Sequence, residues 1–425
     1  MSLHSSSSPR RRGMNMKRTL IAVSAIAAAA LALTGCSAGS GASGGSKTVT
    51  FLSWDTEQTM KPVFTEFEKE NPGYTVKASY APPVPQYIQK LQTLLGSGTA
   101  PDVFIITAEN KAQIMSGGFA KDLSSESWIS NISPTAKATY TQNGKVYGAA
   151  TASWGGGILI NKDLLAKVGY TGAPKTWQDF LDLGKKLKAA GITPFYEAGD
   201  GIPVSLAALV GLENQSLGGT MDQQIWAGKT TFQKTWTDAI STWNQLFTQG
   251  VEPRTVAGLT GDQVTQQFEQ GKVAMIGTGS WALGSIQQAA PSLKLQYLAV
   301  PGADGQAYWC GAVSPGYAIN AKAKDPEAAE KFVQFLQSKQ GVEVYQKQTQ
   351  SITTTKDFTP TLDPSLSDMS DAVRAGKFYL PAVNWPTHSD QMSTEATALL
   401  QQTISGSITP EQFAKGLDAK LDSVK

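Results

Sequence analysis

From residue 47 onward the apolar positions switch between two spacings, and the alternation predicts a fold class. Residues 48–54 (TVTFLSW) read as a strand, after which Met60, Val63, Phe64 and Phe67 recur at the spacing of one helix face. Asn71-Pro72-Gly73 ends that helix, and Tyr74, Val76, Ala78 and Tyr80 then alternate as a strand does. A helix over 86–95 and a buried strand over 101–107 complete a β-α-β-α-β series, which predicts a parallel sheet with right-handed crossovers. The pattern returns downstream. Thr176 caps a helix carrying Trp177, Phe180, Leu181, Gly184 and Leu187 on one face, and Asp325-Pro326 opens another with Ala329, Phe332, Val333 and Leu336. Ligands of such sheets sit beyond the carboxyl ends of the strands. That rule selects Trp54-Asp55, after the first strand, and Glu109-Asn110, after the third, so an indole and two carboxylates face one crevice.

The segment before residue 47 is patterned differently. Lys17 and Arg18 precede an apolar stretch over 20–33, too short to span a bilayer comfortably but suited to a secretory signal. It ends in Leu33-Thr34-Gly35-Cys36, which resembles the lipobox of bacterial lipoproteins. The resemblance implies that residues 1–35 are a signal peptide and that Cys36 is acylated as the first residue of the mature chain. Residues 37–46 contain only Ser, Ala and Gly; they cannot build a core and read as a flexible leash. The expected location is the outer face of the cell membrane, with contact through the lipid alone.

Composition then removes several functions. The signal segment holds five basic residues and no acidic ones, so the remainder carries 31 basic against 34 acidic side chains. No basic stripe points to nucleic acid. The length exceeds what one core usually serves, and two lobes are expected. Beyond Cys36 there is one cysteine, Cys310, and one histidine, His388. That count rules out an intrachain disulfide within the body and any zinc site built from several Cys or His ligands. No cofactor or metal is expected. Cys310 reads as a small buried hydrophobe and His388 as a surface histidine.

Several of the ten tryptophans follow strands or sit beside glycines rather than on periodic apolar faces: Trp54, Trp154, Trp281, Trp309 and Trp385. Sugar rings present flat C–H patches edged by hydroxyls, so a site for them wants an aromatic face and polar acceptors around it. Charged acceptors such as Asp55 and Glu109 bind hydroxyls more strongly than neutral ones. Trp177, Trp236 and Trp243 lie on helical faces and read as structural.

A set of ordered segments carries a family resemblance: residues 98–104 (GTAPDVF), 118–123 (GFAKDL), 144–148 (GKVYG), 159–165 (LINKDLL), 174–180 (PKTWQDF), 271–281 (GKVAMIGTGSW) and 326–332 (PEAAEKF). In these the chain resembles the sugar-binding proteins of bacterial ABC importers, extracellular solute-binding family 1. The resemblance implies an α/β fold of two lobes, joined by three crossings, with the ligand cleft between them. Carried onto this chain, the crossings fall near Trp154, Leu295 and Ser338. Lobe 1 is then 47–154 with 296–338, and lobe 2 is 155–295 with 339–425. The ligand-contacting loops correspond to Trp54-Asp55, Glu109-Asn110, Trp154, Tyr196-Glu197, the Trp281 loop and Asn384-Trp385, and Trp309, which lies outside any periodic apolar face, is a further candidate contact on the residues alone. The implied function is capture of a mono- or oligosaccharide by a monomeric, non-catalytic protein that delivers it to ABC importer permease subunits.

Two other readings stay open on the residues themselves. Asp55 with Glu109 could serve a glycoside hydrolase, which needs two carboxylates at a set separation. A surface adhesin or structural lipoprotein would have no deep cleft.

Overall fold

The computed structural model describes residues 47–359 and 361–425; the signal segment, Cys36 and the leash lie outside the described residues. In the first lobe the strand Lys47–Ser53 lies between Tyr74–Tyr80 and Val103–Ile106 and runs parallel to both, with Lys47 opposite Tyr74 and Phe51 opposite Val103. The β-α-β-α-β series therefore folds into the expected parallel sheet. All four residues of Val103–Ile106 are buried, as in a parallel sheet covered on both faces. Gly316–Ile319 and Ala149–Ala150 extend the sheet antiparallel. Helix Glu57–Glu70, capped by the Thr56 side chain, buries Met60, Val63, Phe64 and Phe67, the four positions marked by their spacing. Phe67 meets Phe332 of helix Pro326–Leu336 edge-on at 5.1 Å, a geometry the ring quadrupoles favour.

The second lobe is built around the long strand Ala152–Asn161. It pairs antiparallel with Val273–Gly279, Leu295–Leu298, Ala307–Val313 and Ile352–Thr353, and Thr193–Tyr196 runs parallel to Val273–Gly279 on its far side. Helix Trp177–Ala189 starts in a capping box, in which the Thr176 hydroxyl accepts from the Asp179 N–H and the Asp179 carboxylate from the Thr176 N–H. It buries Trp177, Phe180, Leu181, Gly184 and Leu187. Trp236 and Trp243 are buried on helix Phe232–Thr248, so all three helix-face tryptophans are core.

The chain passes between the lobes three times, and two passages fall elsewhere than the family spacing implies. The first lies at Thr151, between Ala149–Ala150 of one sheet and Ala152–Asn161 of the other. The second is not near Leu295: Leu298 and Val300 belong to the core of the second lobe, and the passage comes at Ser314, between Ala307–Val313 and Gly316–Ile319. The third is not near Ser338. Helix Lys339–Thr349 packs on Glu57–Glu70 and puts Tyr345 in the first core, so the chain leaves only at Ile352–Thr355. The lobe boundaries move accordingly, because strand pairing and burial hold 295–313 to the second lobe and 339–349 to the first.

The three passages are laced together. The Thr354 N–H donates to Thr151 O at 3.1 Å, its hydroxyl to Ala150 O at 2.8 Å, and the Ser314 N–H to Ala152 O at 3.1 Å. Thr151, Ser314 and Thr354 are all buried, so these bonds are shielded from competing water.

Candidate functional site

A cavity of about 870 Å³ opens between the lobes. One wall comes from the first lobe, with Ile88, Gln89, Glu109 and Asn110; the other from the second, with Trp154, Asp200, Leu380, His388 and Asp390. A second cavity, about 410 Å³, continues from it into the second lobe past Trp154, Asp200 and Leu380, which border both. Its further lining includes Glu197, Asp262, Thr278 and Trp281.

Trp154 and Trp281 form a corner where the two cavities meet. Their ring centroids lie 5.0 Å apart with planes at 87°, so one ring stands edge-on to the other. Trp281 is 52% exposed, an unusual state for so large an apolar surface. The local sequence explains the placement. A Cβ on Gly279 would stand 1.9 Å from the Trp281 ring, and one on Gly277 would stand 2.0 Å from the Glu197 carboxylate. The bare backbone of Val273–Gly279 thus makes room for both groups, and the Tyr297 hydroxyl donates to Gly279 O at 2.7 Å to fix the strand end.

Glu197 forms the buried floor. It accepts hydrogen bonds from the Ser205 N–H, at 2.9 Å, and from the Ser205 hydroxyl. Its own N–H donates to the carboxylate of Glu252, which is also buried. Loss of solvent pushes the Glu197 pKa up to about 7 despite the Ser205 bonds, and raises Glu252 further because the charge of Glu197 is close. On the opposite wall Asn110 is partly committed: its Oδ1 accepts from the Thr107 N–H at 2.9 Å.

Of the residues expected to contact ligand, the structure brings Glu109, Asn110, Trp154, Glu197 and Trp281 to these joined cavities. Trp309 is not among them. It is 5% exposed, packed over Gly157, where a Cβ would meet its ring at 2.6 Å. Nor is Trp385, 2% exposed and stacked at 28° on both Trp226 and Trp236 in the second core. Neighbouring Asn384 donates to Leu380 O at 2.9 Å and does not border the cleft. Tyr196 turns to another face beside Phe247 and Arg254. Trp54 packs edge-on to Tyr87 at 6.1 Å, and Asp55 accepts from the Tyr345 hydroxyl at 3.2 Å, with its pKa raised to about 6 by desolvation. Neither lines the joined cavities, so the Asp55–Glu109 pair does not meet across them.

Asp200, Asp262 and Asp390 went unnoticed in the sequence. Asp200 follows the strand Thr193–Tyr196, so the rule that selected Glu109 applies to it as well. Asp262 and Asp390 stand in the first turns of helices Gly261–Glu269 and Ser389–Ser405, positions whose own dipole explains an acid without a ligand. Cys310 is buried beside the smaller cavity, and His388 borders the larger one instead of lying on open surface.

Comparison with known proteins agrees with this architecture. The profile of the family described as bacterial extracellular solute-binding protein matches residues 53–343. A family 1 extracellular solute-binding protein of Bifidobacterium longum subsp. infantis is 34% identical, with 89% of this chain and 100% of that one superposed at a TM-score of 0.73. The multiple sugar-binding protein of Streptococcus mutans is 25% identical over 382 residues, covering 87% of this chain and 88% of that protein. The maltodextrin-binding protein MdxE of Bacillus subtilis is 24% identical over 402 residues, covering 89% and 90% respectively.

Proposed function

Because the chain belongs to the bacterial extracellular solute-binding proteins, we propose that its interlobe cleft captures a mono- or oligosaccharide for delivery to the permease subunits of an ABC-type importer. The observation that carries this reading is the perpendicular Trp154–Trp281 corner set among carboxylates. Two indole faces at right angles offer apolar cover to a sugar's C–H surface, and Glu109, Asp200 and Asp262 accept from hydroxyls at its edge. The relatives named for multiple sugars and for maltodextrin support the same ligand class. No step of catalysis is needed: the carboxylates serve as acceptors, and the protein acts as a monomer that binds and releases.

Calorimetric titration against a panel of sugars, amino acids and metal ions tests the proposal. Saturable binding of a saccharide is expected, and binding of an amino acid or ion with no response to any saccharide would defeat it.

Delivery to a membrane importer calls for retention near it. We read Leu33-Thr34-Gly35-Cys36 as the acylation signal and residues 37–46 as the leash. Cys36→Ala should then release the protein from the membrane fraction with its circular dichroism unchanged; a variant that stays membrane-bound removes the anchor.

A further inference from the structure

The charges around the cleft are of one sign. Leaving aside Glu197, the joined cavities are bordered by Glu109 from the first lobe and by Asp200, Asp262 and Asp390 from the second. Among the described residues that border them there is no lysine or arginine; His388 is the one basic side chain. Lys111 follows Asn110 directly in sequence yet does not line either cavity, and Lys90 donates to Tyr80 O at 3.4 Å. Helix starts normally attract anions, and helix Val84–Gly96 begins at the larger cavity with no acid in its first turn. But helix Val204–Ser216 gives its Ser205 N–H to Glu197, and Asp262 and Asp390 stand in the first turns of their own helices. Three of these four positive ends are thus answered from within the chain.

We infer that the cleft selects saccharides without anionic groups, accepts an amino substituent, and rejects uronates and other acidic sugars. This rests on the carbohydrate reading and adds the charge class of the ligand. The physical reason is that carboxylates are ionised at neutral pH and a cleft with low-dielectric walls concentrates their field. An acidic sugar meets that field with no cation to pair with, and it loses hydration on entry. A neutral hydroxyl donates to the same carboxylates, and an ammonium does so with a charge. Closure brings the negative walls nearer each other, so a ligand that adds negative charge opposes it.

The test takes the neutral saccharide that binds best in a panel and compares it with its 2-amino-2-deoxy and C6-carboxylate counterparts at about pH 7, where the sugar amine carries its proton and the sugar carboxyl does not. The expected result is an acidic counterpart weaker by about tenfold or more, with an amino counterpart bound at least as well as the neutral sugar. The gap should narrow in high salt and in the Asp200→Asn/Asp262→Asn variant, since screening and charge removal act on the same field. An acidic counterpart bound as tightly as the neutral sugar, or more tightly, overturns the inference and leaves carbohydrate capture standing. Failure of every saccharide in the panel overturns both.

Discussion

Trp281 and Trp385 are the same residue type in opposite situations, and truncation should separate them. Trp281 is half exposed at the cleft, so Trp281→Ala should weaken saccharide binding by about 2 kcal/mol, some thirtyfold, with little change in melting temperature. Trp385 fills a slot among Trp226, Phe232 and Trp236, so Trp385→Ala should cost about 3–5 kcal/mol of stability and leave affinity per folded molecule near normal. Titration beside thermal melts reads both. Sequence could not tell them apart, because a tryptophan beside a turn or a glycine has no periodic face to declare its side; what decides is the partner, and the stacking partners of Trp385 lie on distant helices. The helix-face tryptophans were legible for the converse reason. Asp222 offers a second residue-scale test. It is buried, accepts from the Tyr379 hydroxyl at 2.9 Å, and desolvation raises its pKa from 3.8 to about 7. As pH rises through this window the unfolded chain releases its proton while the native one keeps it, so this residue's stabilisation is full at low pH and gone above about 7. Relative to Asp222→Asn, the wild type should therefore gain stability in urea titrations at about pH 4.5 over about pH 7.5. An equal difference at both values would refute the assignment.

At the scale of elements, the strand Val273–Gly279 shapes the pocket through residues it lacks. Gly279→Ala pushes on the Trp281 ring, which is free to swing outward, so affinity should fall by about as much as in Trp281→Ala while stability changes little. Gly277→Ala pushes on the Glu197 carboxylate, which is buried and held by Ser205, so it should lower both affinity and melting temperature. If the two variants behave alike in both measurements, the glycines do not act as described. The strands and helices themselves were readable from spacing: the face Met60, Val63, Phe64 and Phe67, the alternation from Tyr74 to Tyr80 and the Thr176 cap all appear in the fold. The loops after the first and third strands were equally legible, yet only the second of them borders the cleft. Trp54 finds Tyr87 and Asp55 finds Tyr345, and those tertiary partners leave no mark on local pattern.

At the scale of the whole molecule, two lobes were expected from length and the crossings from a resemblance, and the crossings proved the harder part. An apolar run such as 295–300 fits either lobe by composition; pairing with Ile158–Asn161 assigns it to the second. The passages are joined largely through backbone groups, with the Thr354 and Ser314 N–H groups donating to Thr151 O and Ala152 O and the Thr354 hydroxyl adding a bond to Ala150 O, and backbone pairing of this kind leaves little mark on local pattern. Three short segments bound to one another permit rotation about a common line more readily than separation, so the two walls of the cleft should approach as a ligand touches both. Small-angle scattering of the protein alone and saturated with its best-bound saccharide measures this directly. A smaller radius of gyration is expected in the saturated sample, reverting when the sugar is dialysed away; an unchanged or larger radius at demonstrated saturation would rule out capture between closing lobes.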